Sequence, residues 1–164
     1  MKATGIVRRI DDLGRIVVPK EIRRTLRIRE GDPLEIFTDR EGQIVLKKFS
    51  PIGELGAIAR QYAYSLAQTM KCGVCITDTE QIIAAAGSKK EELQDAYIEP
   101  ELELLMKERK TVVSKEQIIC PIISQGDVLG AVLFLSGDEK HPLGELEEKM
   151  AAAAAGFLAS QLEG

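Results

Sequence analysis

Hydrophobic positions follow one pattern up to about residue 50 and another beyond it. In the first stretch the apolar runs are short. "TGIVRRI" (4–10) and "RIVV" (15–18) are β-branched and predict two strands. Between them "DDLG" is a turn signal, with Gly14 free to take a positive φ. Pro19 suits the first position of a helix, and "PKEIRRTL" supplies about two turns. Ile22 and Leu26, four apart, make its one apolar stripe, and Lys20, Arg23, Arg24 and Arg27 fall mainly on the remaining surface. "LEIFT" (34–38) and "QIVLKK" (43–48), joined by "DREG", read as a β-hairpin.

The alternation in the first two strands is imperfect: Arg8 shares a face with Ile6 and Ile10. Four short strands and an eight-residue helix bury little, at a size where domains usually lean on metal, disulfides or association. The expectation is a dimer that shares one core, with intertwined strands.

"SPIGELG" (50–56) marks a boundary. Leu55, Ile58, Ala59, Tyr62, Ala63, Leu66 and Met70 then keep helical spacing. Strand-like "VCIT" (74–77) and "QIIAAA" (81–86) follow, then a polar helical stretch over 89–109. "TVV" (111–113), "QIICPIIS" (117–124) and "VLGAVLFLS" (128–136) complete the strands, and a last helix runs over 144–162. This order predicts an α+β domain with an antiparallel sheet. In the last helix Leu146, Met150, Ala154, Phe157 and Leu158 share a face. Ala151–Ala155, Gly156 and Ala159 permit close approach of another helix, within the chain or from a second one.

Charge changes the picture. The chain carries a net −4, yet residues 1–50 hold twelve basic and eight acidic side chains, and residues 1–29 hold nine and three. A basic end on an acidic remainder points to a polyanion partner for that end. No apolar run is long enough for a membrane span, and the first twenty residues lack the apolar stretch of a signal peptide. The expected location is cytoplasmic. Three cysteines without an export signal do not suggest a disulfide framework.

The string "TGIVRRIDDLGRIVVPKEIRRTLRIREGDPLEIF" resembles the DNA-binding domain of the AbrB family of bacterial transition-state regulators. The resemblance implies an amino-terminal swapped-hairpin fold, two chains interlacing their strands, over residues 1–50. It implies that Arg8, Arg15, Arg23 and Arg24 make the main contacts to double-stranded DNA, with Arg9 and Lys2 adding phosphate contacts. Guanidinium groups suit that task through planar, paired donors. With "KKFSPIGELG" and the remainder, the longer match resembles sporulation regulators of that family. It implies a linker at 51–55 and a GAF-like α+β domain over 56–164, with a shortened stretch between Arg109 and Ile118. The implied function is a DNA-binding transcription regulator, activator and repressor, of sporulation genes. Such a protein would be nucleoid-associated, dimeric through its first domain and tetrameric through its last helices. A GAF-like domain leaves room for a small-molecule effector of unknown identity. The chain contains no asparagine, so it lacks the signature of cyclic-nucleotide-binding GAF domains.

Two other readings have features behind them. Related swapped-hairpin domains serve as antitoxins, although those usually continue into an extended acidic tail and this chain continues into an apolar-patterned one. Cys72-Gly-Val-Cys75 is a C-x-x-C, but only Cys120 and His141 could complete a zinc set, and Cys75 and Cys120 sit in apolar runs. His141 lies in the loop "GDEKHPLGELEE", with no nucleophile beside it in sequence. The expectation is a non-enzyme without cofactor or metal.

Overall fold

A computed structural model describes residues 2–163. The chain divides after Phe49 into two compact units. The second unit is α+β: α2 (Pro51–Glu54), α3 (Gly56–Met70), α4 (Lys90–Leu93), α5 (Pro100–Lys107) and α6 (Glu145–Glu163) surround five strands. These are β3 (Gly73–Thr77), β4 (Ile82–Ala86), β5 (Val112–Val113), β6 (Gln117–Ser124) and β7 (Asp127–Leu135), in the order β4-β3-β7-β6-β5. Every pairing is antiparallel.

Period-two alternation sorts the strand residues onto two buried faces. Val74, Ile76, Ile118, Cys120, Ile122, Val132 and Phe134 join one cluster, under Ala59, Ala63 and Leu66 of α3 and Ala151, Ala154, Ala155, Leu158 and Ala159 of α6. Cys75, Ile119, Ala131 and Leu133 face the other way, beneath Met106, Leu102 and Leu105 of α5. Both faces are covered, which is why these strands read as continuous apolar runs. Ala151, Ala154, Ala155 and Ala159 of α6 pack on the chain's own sheet, while Ala152, Ala153, Gly156, Leu146 and Phe157 of the same helix remain exposed. Tyr62 meets Phe157 edge-on, ring centroids 5.0 Å apart.

The helix expected over 89–109 is instead two short helices. Between them the chain covers the edge of β4. Gln94 takes the place of a strand there: its Oε1 accepts the Ala85 N–H at 3.0 Å and its Nε2 donates to the Ile83 carbonyl at 2.9 Å. The Ala96 carbonyl accepts the Ile82 N–H at 2.8 Å. Capping an open sheet edge competes with helical hydrogen bonding and wins here. Pro100 then restarts the helix at a position that needs no N–H.

Residues 51–55, expected to link the domains, are packed into the second unit. Ile52 is wholly buried in its core. Ser50 caps α2 by accepting the Gly53 N–H at 3.0 Å and donates to Asp78 Oδ2 at 2.9 Å. A short apolar segment beside an exposed helix gains more by burial than by remaining loose.

The first unit contains α1 (Lys20–Thr25) and the hairpin of β1 (Leu34–Thr38) and β2 (Ile44–Lys48), paired from Leu34↔Lys48 to Thr38↔Ile44. The strands expected at 4–10 and 15–18 form no ladder within the chain. Among the described residues up to Phe49, Pro19 alone is buried. Val7 is 84% exposed, Leu13 70% and Ile44 68%, and Ile10, Ile16, Val17, Ile36, Phe37 and Leu46 are exposed with them.

Candidate nucleic-acid interface

The basic surface is built from a turn and a short helix. At the turn, the Asp11 N–H donates to the Arg15 carbonyl at 3.0 Å and the Gly14 N–H to the Asp11 carbonyl at 3.1 Å. Asp11 Oδ1 accepts the N–H groups of Leu13 at 2.9 Å and of Arg15 at 2.8 Å. Gly14 takes φ +75°, which closes the turn without steric cost. Asp11 Oδ2 accepts Arg15 Nε–H at 2.8 Å, while the Arg15 side chain stays 70% exposed. The Arg15 amide first, and its guanidinium second, hold the Asp11 carboxyl below its ordinary value.

Pro19 opens the helix, its carbonyl accepting the Arg23 N–H at 3.0 Å. Arg23 Nε reaches back to the Val18 carbonyl at 3.1 Å, tying the helix to the arm before it. The helix stops at Leu26 because Arg27 turns left-handed, φ +55°, and the Ile28 N–H then bonds the Arg23 carbonyl at 2.8 Å. This is a Schellman ending with arginine where glycine is usual. It folds the chain back so that Lys20, Arg23, Arg24, Arg27, Ile28 and Arg29 line one shallow concavity of about 400 Å³. Lys48 Nζ fixes its base by donating to the Arg27 carbonyl at 2.7 Å and pairing with Asp32 at 3.3 Å.

All six candidate residues, Lys2, Arg8, Arg9, Arg15, Arg23 and Arg24, are exposed. Arg23 and Arg24 share the concavity, and the other four lie outside its lining. Arg8 Nη1 donates to the Val7 carbonyl at 3.1 Å. Lys20, Arg27 and Arg29 were not singled out as contacts by the sequence. Their signal was the i, i+3/i+4 spacing of cations through "KEIRRTLRIR", and the left-handed Arg27 that gathers them is not written in any residue type. Such a surface concentrates positive potential where a phosphate backbone can meet it.

The second unit offers little reactive chemistry. Burial pushes the Cys72 and Cys75 thiols up to about 11, with Glu147 adding to the effect at Cys72, and burial raises Cys120 as well. His141 Nδ1 lies 2.9 Å from Asp138 Oδ1 on an exposed loop. Among the described residues, no three His, Cys, Asp or Glu side chains are grouped to hold a metal, and no helix is long and apolar enough to cross a membrane.

An arginine-bearing unit with only Pro19 buried among its described residues, followed by a sheet covered by helices on both faces, fits an AbrB-like module joined to a GAF-like one. The GAF-like fold is shared with the cyanobacteriochrome receptor PixJ (TM-score 0.58, 12% identity, 70% of this chain and 98% of that one). The second GAF domain of DevS from Mycobacterium smegmatis is similar too (TM-score 0.55, 15% identity, 66% and 93%). Residues 54–117 and 113–163 match the family described as stage V sporulation protein T C-terminal, transcription factor, and residues 7–53 match the MazE antitoxin family. Stage V sporulation protein T of Bacillus subtilis (strain 168) is 48% identical over 179 residues, 99% of each chain. The transition state regulatory protein AbrB of the same organism is 61% identical over 51 residues, 31% of this chain and 52% of its own. The chain belongs to the stage V sporulation protein T family. Its two matched stretches meet at 113–117, where β5 and β6 are joined by Ser114, Lys115 and Glu116 alone.

Proposed function

We propose that this protein is a DNA-binding transcription regulator, both activator and repressor, of sporulation genes, in which Arg8, Arg15, Arg23 and Arg24 contact double-stranded DNA. Arg9 and Lys2 add phosphate contacts. The observation that carries the reading is the placement of exposed guanidinium groups on a pinned turn and a capped helix, within a unit whose family relatives include a transition state regulator. Mounted arginines can be aimed, and a disordered tail could not aim them. With no long recognition helix, selectivity comes partly from DNA shape.

Residues 1–50 act as the DNA-binding module, and the segment from 56 onward as an assembly and sensing module, with 51–55 as the packed joint. The exposed apolar residues of the first unit call for a second copy whose strands complete a shared core. Tyr62 and Phe157 mark a face of the second unit suited to pairing dimers into a tetramer, which raises DNA avidity through effective concentration. The protein works in the cytoplasm on the nucleoid, without membrane, metal or cofactor. We read it as a non-enzyme because its family is described as a transcription factor, and burial that raises the Cys72 and Cys75 thiols disfavours thiolate chemistry at those two residues.

Arg15→Ala and Arg23→Ala test the site by mobility shift, each expected to weaken binding at least about tenfold without unfolding. Unchanged affinity in both would remove the assignment. The match to the MazE family favours a second reading, an antitoxin. Affinity purification from cells that yields a stoichiometric small toxin would support it, while the full-length match to stage V sporulation protein T and the match of residues 54–163 to a transcription factor family weigh the other way.

A further inference from the structure

We infer that Asp11 is the positioning residue for Arg15: its second carboxylate oxygen holds the guanidinium by the Nε edge so that the two outer nitrogens face DNA. The inference rests on the DNA-binding reading above and names how that site is organised.

The molecule contains its own comparison. Asp39 builds the turn between β1 and β2 as Asp11 builds the earlier one. Asp39 Oδ1 accepts the N–H groups of Glu41 at 2.9 Å and Gln43 at 2.8 Å, and the Asp39 N–H donates to the Gln43 carbonyl at 3.1 Å. One carboxylate oxygen therefore suffices to pin this turn. At 39–43 the fifth residue is Gln43, whose side chain turns to Glu41 Oε2 at 3.3 Å. At 11–15 the fifth residue is Arg15, and Asp11 Oδ2 is given to its Nε at 2.8 Å. The Oδ2 contact is thus additional to turn formation.

Its chemistry suits a DNA reader. Arginine has five N–H donors, one on Nε and four on the outer nitrogens. Occupying Nε fixes the plane of the guanidinium and leaves the outer edge for a phosphate or a guanine O6/N7 pair. A side chain that is 70% exposed otherwise samples many rotamers, and ordering it in advance removes that cost from binding.

Asp11→Asn separates the two roles. The amide oxygen can still accept the Leu13 and Arg15 N–H groups, while the charge at the second oxygen is gone. The probe is a labelled duplex selected by the full-length wild-type protein from a random-sequence pool. If Asp11 only adds negative charge near DNA, Asp11→Asn tightens binding. If it positions Arg15, Asp11→Asn weakens binding about 3- to 10-fold, and Asp39→Asn, which removes the same charge from the companion turn, does not. In an Arg15→Ala background the Asp11→Asn penalty is expected to vanish. Tighter or unchanged binding by Asp11→Asn, or an undiminished penalty in that background, overturns the inference. Should Asp11→Asn fail to fold, Arg15→Lys keeps the charge and leaves Asp11 intact. It is expected to bind nearly as poorly as Arg15→Ala, and wild-type affinity would overturn the positioning role. Failure of the wild-type protein to select any duplex would instead remove the DNA-binding reading itself.

Discussion

Asp11 and Asp39 hold two turns closed with the same hydrogen bonds, each carboxylate oxygen Oδ1 accepting the backbone N–H groups two and four residues on. In each, a glycine takes the fourth place in a left-handed conformation, Gly14 at φ +75° and Gly42 at φ +84°. The companion turn joins the paired strands β1 and β2, whereas the arms flanking 11–15 form no ladder within the chain. Gly14→Ala and Gly42→Ala meet no neighbouring atoms within 4 Å, and the cost is conformational alone. Each is expected to destabilise by about 1 kcal/mol, read from denaturant melts.

The lowered pKa of Asp11 fixes a pH dependence. A carboxyl depressed in the folded state contributes stability above its unfolded pKa and loses it as pH falls through the folded one. The turn should be closed at neutral pH and open only on acidification below about pH 4. The Arg15 amide resonance in an acid titration reports this, with a midpoint lower than that of the free peptide.

Gly130 of β7 sits against the end of β3, beside Thr77 and Asp78. A Cβ there would fall inside the contact radius of the Thr77 carbonyl and 3.0 Å from the Asp78 Cα, atoms that cannot swing aside. Gly130→Ala is expected to cost the second unit about 3 kcal/mol, visible in a urea titration. A melt unaltered from wild type would mean the strands can separate there.

DNA affinity should follow counterion release. For a dimer engaging about six phosphates, affinity is expected to fall about a thousandfold between 50 and 200 mM salt. A flat response would contradict contact through arginines.

Phe157, 40% exposed beside Tyr62, tests the proposed pairing of dimers. Phe157→Glu places a charge on that face and should leave dimers in sedimentation velocity, still able to bind a single DNA site.

The hairpin at 34–48 and the strands at 117–135 were legible because their alternation and turn residues agree. The arms at 4–10 and 15–18 were read as strands from their β-branched runs; within the chain they form no ladder, and only the turn between them, 11–15, matches the reading. The helix expected over 89–109 failed for a local reason, since Gln94 serves the edge of β4 better than a helix interior. The alanines of α6 carried a pattern that fits both a foreign helix and the chain's own sheet: Ala151, Ala154, Ala155 and Ala159 pack inside, while Ala152 and Ala153 stay exposed. At the candidate interface, charge marked the amino-terminal stretch as basic, and the family resemblance singled out Arg8, Arg15, Arg23 and Arg24 within it. They did not show the concavity lined by Lys20, Arg27 and Arg29, because a left-handed arginine at a helix end depends on the fold that follows.

A first unit in which Pro19 alone is buried among the described residues gains almost nothing from folding alone. With the shared core proposed above, its formation is second order in chain concentration. At low abundance the pool of DNA-competent protein grows with the square of the number of chains. A twofold rise in synthesis then becomes about a fourfold rise in active regulator, a threshold response that needs no ligand.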